Sequence, residues 1–263
     1  MKLDPIGLAD TRIAVGAHGA GPAVMLIAGL GGRAAFWSSQ VHALKTDFKL
    51  ILHDHRGTGA SARDLCRYSI SQMATDALAV LDHFAVDKAH IVGHSTGGAI
   101  AQYLALHHPN RVNKVVISAS WCGPNAYLQA LFKLRREILL ELGPEAYLTD
   151  GQLRGFPAHI MLEKAGSIEA DKKARLAQFP GPDIEQRRMD AILEHDLREK
   201  LPEIAAETLV ICAADDQITP LPLSEECASL ISGAQLKVLP TGGHFAPQAV
   251  PQLYTPAIQH FLQ

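Results

Sequence analysis

Cysteines are few in this sequence and lie far apart. Cys66, Cys122, Cys212 and Cys227 form no C-x-x-C pair, so neither a zinc knuckle nor a disulfide framework is indicated. The first residues carry no apolar stretch of the kind found in secretory signals. Because separate, unpaired thiols are typical of a reducing compartment, we expect a cytoplasmic protein.

Long apolar runs and an excess of one charge are also missing. No run approaches the roughly 18 apolar residues that a membrane-spanning helix needs. Lys and Arg total 24 and Asp and Glu total 27, a net charge of −3 over 263 residues. The sequence therefore lacks the excess of positive charge that is typical of nucleic-acid-binding proteins. We expect a small-molecule substrate and neither a nucleic-acid nor a membrane partner; the sequence leaves a homodimer open.

Short apolar runs alternate with helical patterns along most of the chain. Runs that are apolar on both faces are typical of parallel strands covered by helices. The alternation predicts an α/β fold with a mostly parallel, doubly wound sheet, preceded by an antiparallel lead-in that ends near Val15. Helices are predicted at about 70–85, 97–108, 222–231 and 247–262.

One long segment breaks this alternation. Residues 121–198 contain no convincing buried strand, but they contain helical patterns at Leu128–Leu142 and Ile184–Leu197. A loop of this length is uncommon in a compact domain. We therefore predict a core formed by residues 1–120 and 199–263, with residues 121–198 inserted as a helical lid.

Ser95 lies in the pattern Gly93-x-Ser95-x-Gly97, directly after an apolar run and before a predicted helix. A serine on a sharp strand-to-helix turn is typical of a nucleophile, because the glycines allow strand and helix to approach closely. Ser95 could also be a plain turn residue, but the strand before it and the helix after it favour the nucleophile.

A serine nucleophile needs a base and an orienting acid, which should follow other strands of the sheet. His244 comes just after the last apolar run, and Asp215 and Asp216 follow the run before it. The chain order of serine, acid and histidine is therefore present. Two adjacent carboxylates cannot both orient one imidazole, and the spacing alone leaves the choice between them open.

The developing oxyanion needs backbone N–H donors. We expect one from Thr96, next to the serine, and one from Leu30 in the loop Gly29-Leu30-Gly31-Gly32. The absence of a side chain at Gly29 would let substrate approach the backbone closely.

These motifs together resemble the α/β-hydrolase superfamily over nearly the whole chain. The similar stretches are the glycine loop at 29–32, Asp54-x-Arg56-Gly57-x-Gly59, the serine motif, Asp216-x-x-x-Pro220 and Gly243-His244. Within the superfamily the chain most resembles aminoacrylate hydrolases and 3-oxoadipate enol-lactonases. The resemblance implies that Asp216, four residues before Pro220, is the acid. Many relatives have His-Gly where this chain has Ala28-Gly29.

Other candidate groups have weaker support. No G-x-G-x-x-G or Walker lysine accompanies the glycine loop, and no further ligand cluster accompanies His53-Asp54-His55, so we expect neither a cofactor nor a metal. Trp121, at the start of the lid, is a candidate substrate contact or an ordinary packing residue. The pairs Arg135-Arg136 and Arg187-Arg188 favour solvated helix faces, although one inward arginine could hold a substrate carboxylate.

The sequence thus predicts a serine hydrolase of a small ester, lactone or amide that forms an acyl-enzyme. C–C bond hydrolysis and cofactor-free perhydrolysis are alternatives that use the same three residues. A receptor for a small ligand on the same fold is the alternative that is not an enzyme.

Overall fold

Eight strands form one sheet in residues 2–263, the part of the chain that the computed structural model describes. Their order across the sheet is β1-β2-β4-β3-β5-β6-β7-β8. The strands are β1 (Asp4–Gly7), β2 (Arg12–His18), β3 (Ala23–Ile27), β4 (Lys49–His53), β5 (Ala89–His94), β6 (Val112–Ser118), β7 (Glu207–Ala213) and β8 (Gln235–Leu239).

The sheet is parallel from β4 to β8 and antiparallel only at its beginning. Strand β2 pairs antiparallel with β1 and with β4, and the remaining neighbours pair in parallel. The predicted lead-in and the predicted mostly parallel sheet are both confirmed. Since the strands are parallel, the carboxyl ends of β3, β5, β6, β7 and β8 all lie along one edge, where ligands bind in open sheets.

Helices cover both faces of the sheet. They are α1 (Ser38–Leu44), α2 (Ile70–His83), α3 (Thr96–His107), α4 (Ala126–Glu137), α5 (Gly143–Gly155), α6 (Ala158–Glu163), α7 (Ala165–Ala177), α8 (Pro182–Leu193), α9 (Leu221–Leu230), α10 (Ala246–Ala249) and α11 (Pro251–Leu262). The four helical patterns predicted near residues 70, 97, 222 and 247 are confirmed, the last of them as two helices. Within residues 2–263, no helix combines the length and apolar character that crossing a bilayer demands.

The apolar core has two layers, one on each face of the sheet. Met25 and Ile91 pack with α2 and α3 on one face, while Leu26 and Val92 pack with α1 and α11 on the other. Successive strand residues point to opposite faces, so strands with helices on both sides must be apolar throughout. Strand β5, which leads directly to Ser95, is buried at all six positions.

Helices α4 to α8 lie between β6 and β7, and no strand occurs from residue 119 to residue 206. Asn125 caps the first of them by accepting a hydrogen bond from the Leu128 amide at 2.9 Å, as expected of an asparagine before a helix. A π-helical turn, Ile138–Leu142, separates α4 from α5. We call residues 121–198 the cap; its behaviour as a separate lid stays a prediction.

Candidate active site

Ser95 occupies a sharp turn between β5 and α3. Its φ is 55° and its ψ is −117°, a left-handed backbone conformation that costs energy for a residue with a side chain. A Cβ atom on Gly93 would collide with the carbonyl group of Gly97, and one on Gly97 would collide with the carbonyl oxygen of Ile27. The glycines at both positions therefore allow β5, α3 and the end of β3 to approach as closely as the turn requires.

The backbone around Ser95 is held by hydrogen bonds to β6 and the residues that follow it. The Ser95 amide donates to the Ser118 carbonyl at 2.8 Å. The Ser95 carbonyl accepts from the Ser120 hydroxyl at 2.9 Å. These bonds fix the turn from the neighbouring strand and leave the Ser95 side chain among the groups that line a cavity.

His244 and Asp216 are in direct contact. The Nδ1 atom of His244 lies 2.9 Å from Oδ2 of Asp216, and both side chains are buried. The other carboxylate oxygen, Oδ1, accepts from the amides of Ile218 at 2.7 Å and Thr219 at 2.9 Å. The Thr219 hydroxyl also donates to Oδ2 at 2.9 Å. A carboxylate accepts hydrogen bonds, so this contact favours the imidazole tautomer with its proton on Nδ1, in which Nε2 carries the lone pair.

Asp215 has different partners from its neighbour. Its Oδ2 accepts from the Thr241 hydroxyl at 2.7 Å, and its Oδ1 accepts from the Gly243 amide at 2.8 Å. Asp215 thus ties the end of β7 to the loop that presents His244. The structure places Asp216, and not Asp215, against the imidazole.

The loop after β3 folds into a tight turn beside Ser95. The Gly32 amide donates to the Gly29 carbonyl at 2.8 Å, and Gly32 has a φ of +63°. A Cβ atom on Gly29 would lie 3.1 Å from the Cβ of Ser95. Leu30 therefore lies in a turn in contact with the serine, and Thr96 begins helix α3, whose first amides lack partners within the helix.

A buried carboxylate holds the segment that follows this turn. Asp54 accepts from the Ala34 amide at 2.8 Å through Oδ1 and from the Ala60 amide at 2.9 Å through Oδ2. Burial raises the pKa of Asp54, and the two amide bonds oppose that rise. Nearby, Arg56 pairs with Asp76 at 2.8 Å and with Asp10 at 2.7 Å. Asp54 thus connects the turn after β4 to the segment just beyond the glycine loop, and the His55 amide donates to the Gly32 carbonyl of the loop itself at 2.7 Å.

A cavity of about 100 Å³ opens beside Ser95 and His244. Its apolar wall includes Phe36, Phe132, Ile218 and Phe245. The glycine loop contributes Gly29 and Leu30 as expected, together with Gly31, Gly32 and Arg33. His94, the residue before the serine, also lines it. Burial and the neighbouring His244 hold the pKa of His94 well below its usual range, so its ring is neutral.

Polar side chains of the cap form a second wall of the cavity, and of these only Arg135 was a candidate from the sequence. Arg135, Tyr147, Asp171, Arg175 and Glu185 line it. The Tyr147 hydroxyl donates to Oε1 of Glu185 at 2.7 Å, and the Arg135 guanidinium lies 4.4 Å from the centre of the Tyr147 ring. Desolvation raises the pKa of Tyr147 and lowers that of Arg175.

Two expectations about cap side chains need correction. Trp121 does not belong to the cavity wall: it is 1% exposed in the core under the cap, where the ring of His195 meets it edge to face at 5.8 Å. Arg135 and Arg188 do not lie on solvated faces, since both are buried. Arg135 pairs with Asp150 of α5 at 2.8 Å, and Arg188 packs against core loops. Arg187 remains exposed, and Arg136 is partly exposed and pairs with Asp190.

Arg188 makes an unusual set of contacts beneath the cap. It is fully buried. Its Nη2 donates to the Leu30 carbonyl at 2.8 Å and its Nη1 donates to the Arg56 carbonyl at 2.9 Å. The sequence could not have identified Arg188 as a buried residue, because the adjacent pair Arg187-Arg188 gives no indication of which member faces the core.

Comparison with known proteins agrees with this architecture. A sequence model of the alpha/beta hydrolase fold family matches residues 22–247. A protein of Caulobacter sp. (strain K31), named as a candidate carbamate hydrolase RutD, is 36% identical over 251 residues, which cover 93% of each chain. A solved hydrolase from Pseudomonas aeruginosa PA01 has a TM-score of 0.89 at 29% identity, with 99% of this chain and 98% of that chain covered.

A second solved structure, the enol-lactonase from Burkholderia xenovorans LB400, has a TM-score of 0.91 at 23% identity, with 98% of this chain and 99% of that chain covered. At that identity the likeness is one of fold. The family match spans most of the chain, and the fold and the family predicted from the motifs are confirmed. The chain belongs to the α/β-hydrolase family and is a hydrolase.

Proposed function

We propose that this hydrolase cleaves a small carboxylic ester, lactone or amide through an acyl-enzyme on Ser95. The observation that carries the proposal is the 2.9 Å contact between His244 Nδ1 and Asp216 Oδ2, on the wall of the cavity that Ser95 lines. Asp216 orients the ring and stabilises its protonated form, so that Nε2 is available as a base.

The reaction proceeds in two halves. Ser95 Oγ attacks the substrate carbonyl carbon while its proton passes to Nε2 of His244. The imidazolium then gives that proton to the leaving group, and the C–O or C–N bond breaks to leave an acyl-enzyme. Water, deprotonated by the same imidazole, attacks the acyl carbon and releases the acid together with free Ser95. No cofactor takes part in these steps.

The negative oxygen of each tetrahedral intermediate is held by the amides of Leu30 and Thr96. Support for this assignment comes from the turn at Gly29–Gly32, which contacts Ser95, and from the position of Thr96 at the start of α3. The positive end of the helix dipole at Thr96 favours the same negative charge.

The cavity favours a small substrate with a polar group. Its volume of about 100 Å³ leaves little room for a long acyl chain. In the cap wall, Arg175 meets the Asp171 carboxylate at 4.0 Å, so its guanidinium has donors available for an anionic group of the substrate. A carbamate, the substrate class in the name of the Caulobacter relative, is an acyl derivative that the same steps would cleave.

Activity-based labelling tests the proposal. A fluorophosphonate should label wild-type protein at Ser95, and Ser95→Ala should abolish both labelling and p-nitrophenyl acetate hydrolysis. Loss of such a nucleophile lowers turnover by about a millionfold. A folded Ser95→Ala protein that kept a tenth of wild-type turnover would remove Ser95 from the mechanism.

A further inference from the structure

Arg188 is a buried cation whose partners are backbone carbonyls. Besides its bonds to Leu30 O and Arg56 O, its Nε lies 3.3 Å from Leu30 O and its Nη2 lies 3.2 Å from Nδ1 of His55. Its guanidinium also lies 5.8 Å from the centre of the Tyr68 ring. All of these groups belong to the core, whereas Arg188 belongs to cap helix α8.

Within residues 2–263, no carboxylate oxygen lies within 4.0 Å of the Arg188 guanidinium. A buried charge without an ion pair is costly unless hydrogen bonds replace its water. Burial accordingly lowers the pKa of Arg188, but a guanidinium stays charged. Stabilisation therefore comes from the carbonyl acceptors, and Arg188 in turn restrains the two loops that carry them.

The restrained carbonyl belongs to the middle of the glycine turn. In the turn from Gly29 to Gly32, closed by the Gly32 amide, the peptide between Leu30 and Gly31 is the central one. A central turn peptide can reorient when its carbonyl has no partner. Two donors from Arg188 hold this carbonyl, and a Cβ on Gly32 would lie 2.9 Å from its Nη2. The N–H of Leu30 belongs to the preceding peptide, whose Gly29 carbonyl accepts from the Gly32 amide. With a hydrogen bond on each of its two flanking peptides, Leu30 has a restrained backbone, and its N–H is the oxyanion donor of the proposed mechanism.

We propose that Arg188 is a positioning residue that makes the oxyanion-binding geometry of Leu30 depend on the docking of cap helix α8. The inference rests on the serine mechanism proposed above. It gives the cap a part in the chemistry through a side chain that does not itself line the cavity. Substrate affinity in the ground state should depend little on Arg188, and stabilisation of the tetrahedral state should depend on it strongly.

The matched variants are Arg188→Lys, Arg188→Gln and the neighbouring control Arg187→Lys. A lysine ammonium carries its donors on one atom and cannot bridge Leu30 O and Arg56 O as the guanidinium fork does. Misplacement of a catalytic donor by about 1 Å costs on the order of a hundredfold in rate. We expect kcat for p-nitrophenyl acetate to fall about a hundredfold in Arg188→Lys and Arg188→Gln, with KM within threefold of wild type and Arg187→Lys unchanged.

A pair of inhibitors separates positioning from general stability. A trifluoromethyl ketone forms a tetrahedral adduct with a catalytic serine and places an oxyanion in the same site, whereas the product acid does not. The Ki of the ketone should rise in parallel with the fall in kcat. The Ki of acetate, the product acid, should stay within threefold of wild type. Circular dichroism and thermal denaturation follow folding in each variant.

Three outcomes would overturn the inference: kcat within threefold of wild type in Arg188→Lys, equal losses of ketone and acetate binding, or failure of both Arg188 variants to fold, which would assign Arg188 a structural role. Failure of the serine mechanism is distinguishable, because wild-type protein would then form no adduct with either the ketone or a fluorophosphonate.

Discussion

His244 Nδ1 and Asp216 Oδ2 lie 2.9 Å apart, and three further donors hold the same carboxylate. Such a carboxylate cannot rotate away without losing several hydrogen bonds at once. The imidazole is therefore restrained through a side chain that is itself restrained by the loop after β7.

This arrangement predicts different effects for two adjacent substitutions. Asp216→Asn should lower kcat by about ten-thousandfold, because an amide favours the wrong imidazole tautomer. Asp215→Asn weakens only the bonds to Thr241 and Gly243, so its loss should stay below about a hundredfold. Steady-state kinetics on p-nitrophenyl acetate measure both, and a larger loss in Asp215→Asn would reverse the assignment.

Close packing at the serine turn predicts that Gly97→Ala is severe. The new Cβ would collide with the Ile27 carbonyl oxygen and lie 2.7 Å from that of Ala28, so β3 or α3 must shift. We expect a loss of about 1–3 kcal/mol in the free energy of unfolding and at least a hundredfold loss of kcat. Gly166→Ala is the control, since a Cβ there meets nothing within 4 Å; urea titrations compare the two, and equal stability would contradict the packing argument.

Cavity size predicts a preference for short acyl chains. Each methylene that does not fit a closed apolar pocket costs roughly 1–3 kcal/mol of transition-state stabilisation, so kcat/KM should fall steeply beyond about six acyl carbons. Phe132→Ala removes part of the cavity wall on α4 and should therefore raise kcat/KM for the longer esters. Leu134→Ala, on the exposed side of the same helix, should not. If long-chain esters prove the best substrates of wild type, the cavity is not the acyl site.

We expect the Arg175 guanidinium to bind an anionic group of the substrate. A charge-assisted hydrogen bond contributes about 1.5–3 kcal/mol, so Arg175→Gln should raise KM for mono-p-nitrophenyl succinate by about tenfold or more. KM for neutral p-nitrophenyl butyrate should stay within twofold. Lys173→Gln, an exposed change on the same helix, is the matched control. Equal changes in KM for the two esters would show that Arg175 does not contact a substrate anion.

The proximity of Ser95, Asp216 and His244 could be predicted from the sequence for a geometric reason. Ser95, Asp216 and His244 each follow a different strand, and in a parallel sheet those strand ends share one edge. The spacing within the chain thus carries information about proximity in space. The glycine loop after β3 was found by the same reasoning.

The cap side could not be predicted in the same way. Helical periodicity shows which residues share a helix face, but it does not show which face meets the core. Arg135 and Arg188 lie in charged stretches that are typical of exposed helices. Arg135 is buried because α4 packs against Asp150 and Tyr147 of α5, and Arg188 is buried because α8 packs against core loops. Trp121 was misplaced for the converse reason: its position after a strand end suggested the cavity, but its ring turns into the apolar core.

Buried histidines predict acid sensitivity, and His195 offers the clearest test. It is 6% exposed and packs against Trp121, and desolvation lowers its pKa to about 4. A histidine whose pKa is lower in the folded state than the unfolded value of about 6.5 binds its proton preferentially after unfolding. Stability from the neutral ring is thus fully present above pH 6.5 and is lost as pH falls from 6.5 to 4, by about 3 kcal/mol in total.

His195→Phe and His195→Gln should both flatten the dependence of the free energy of unfolding on pH in that range, even if they differ in stability at pH 7.5. Urea titrations at half-unit intervals of pH measure the slopes, and a wild-type slope retained in both variants would show that His195 does not titrate on unfolding.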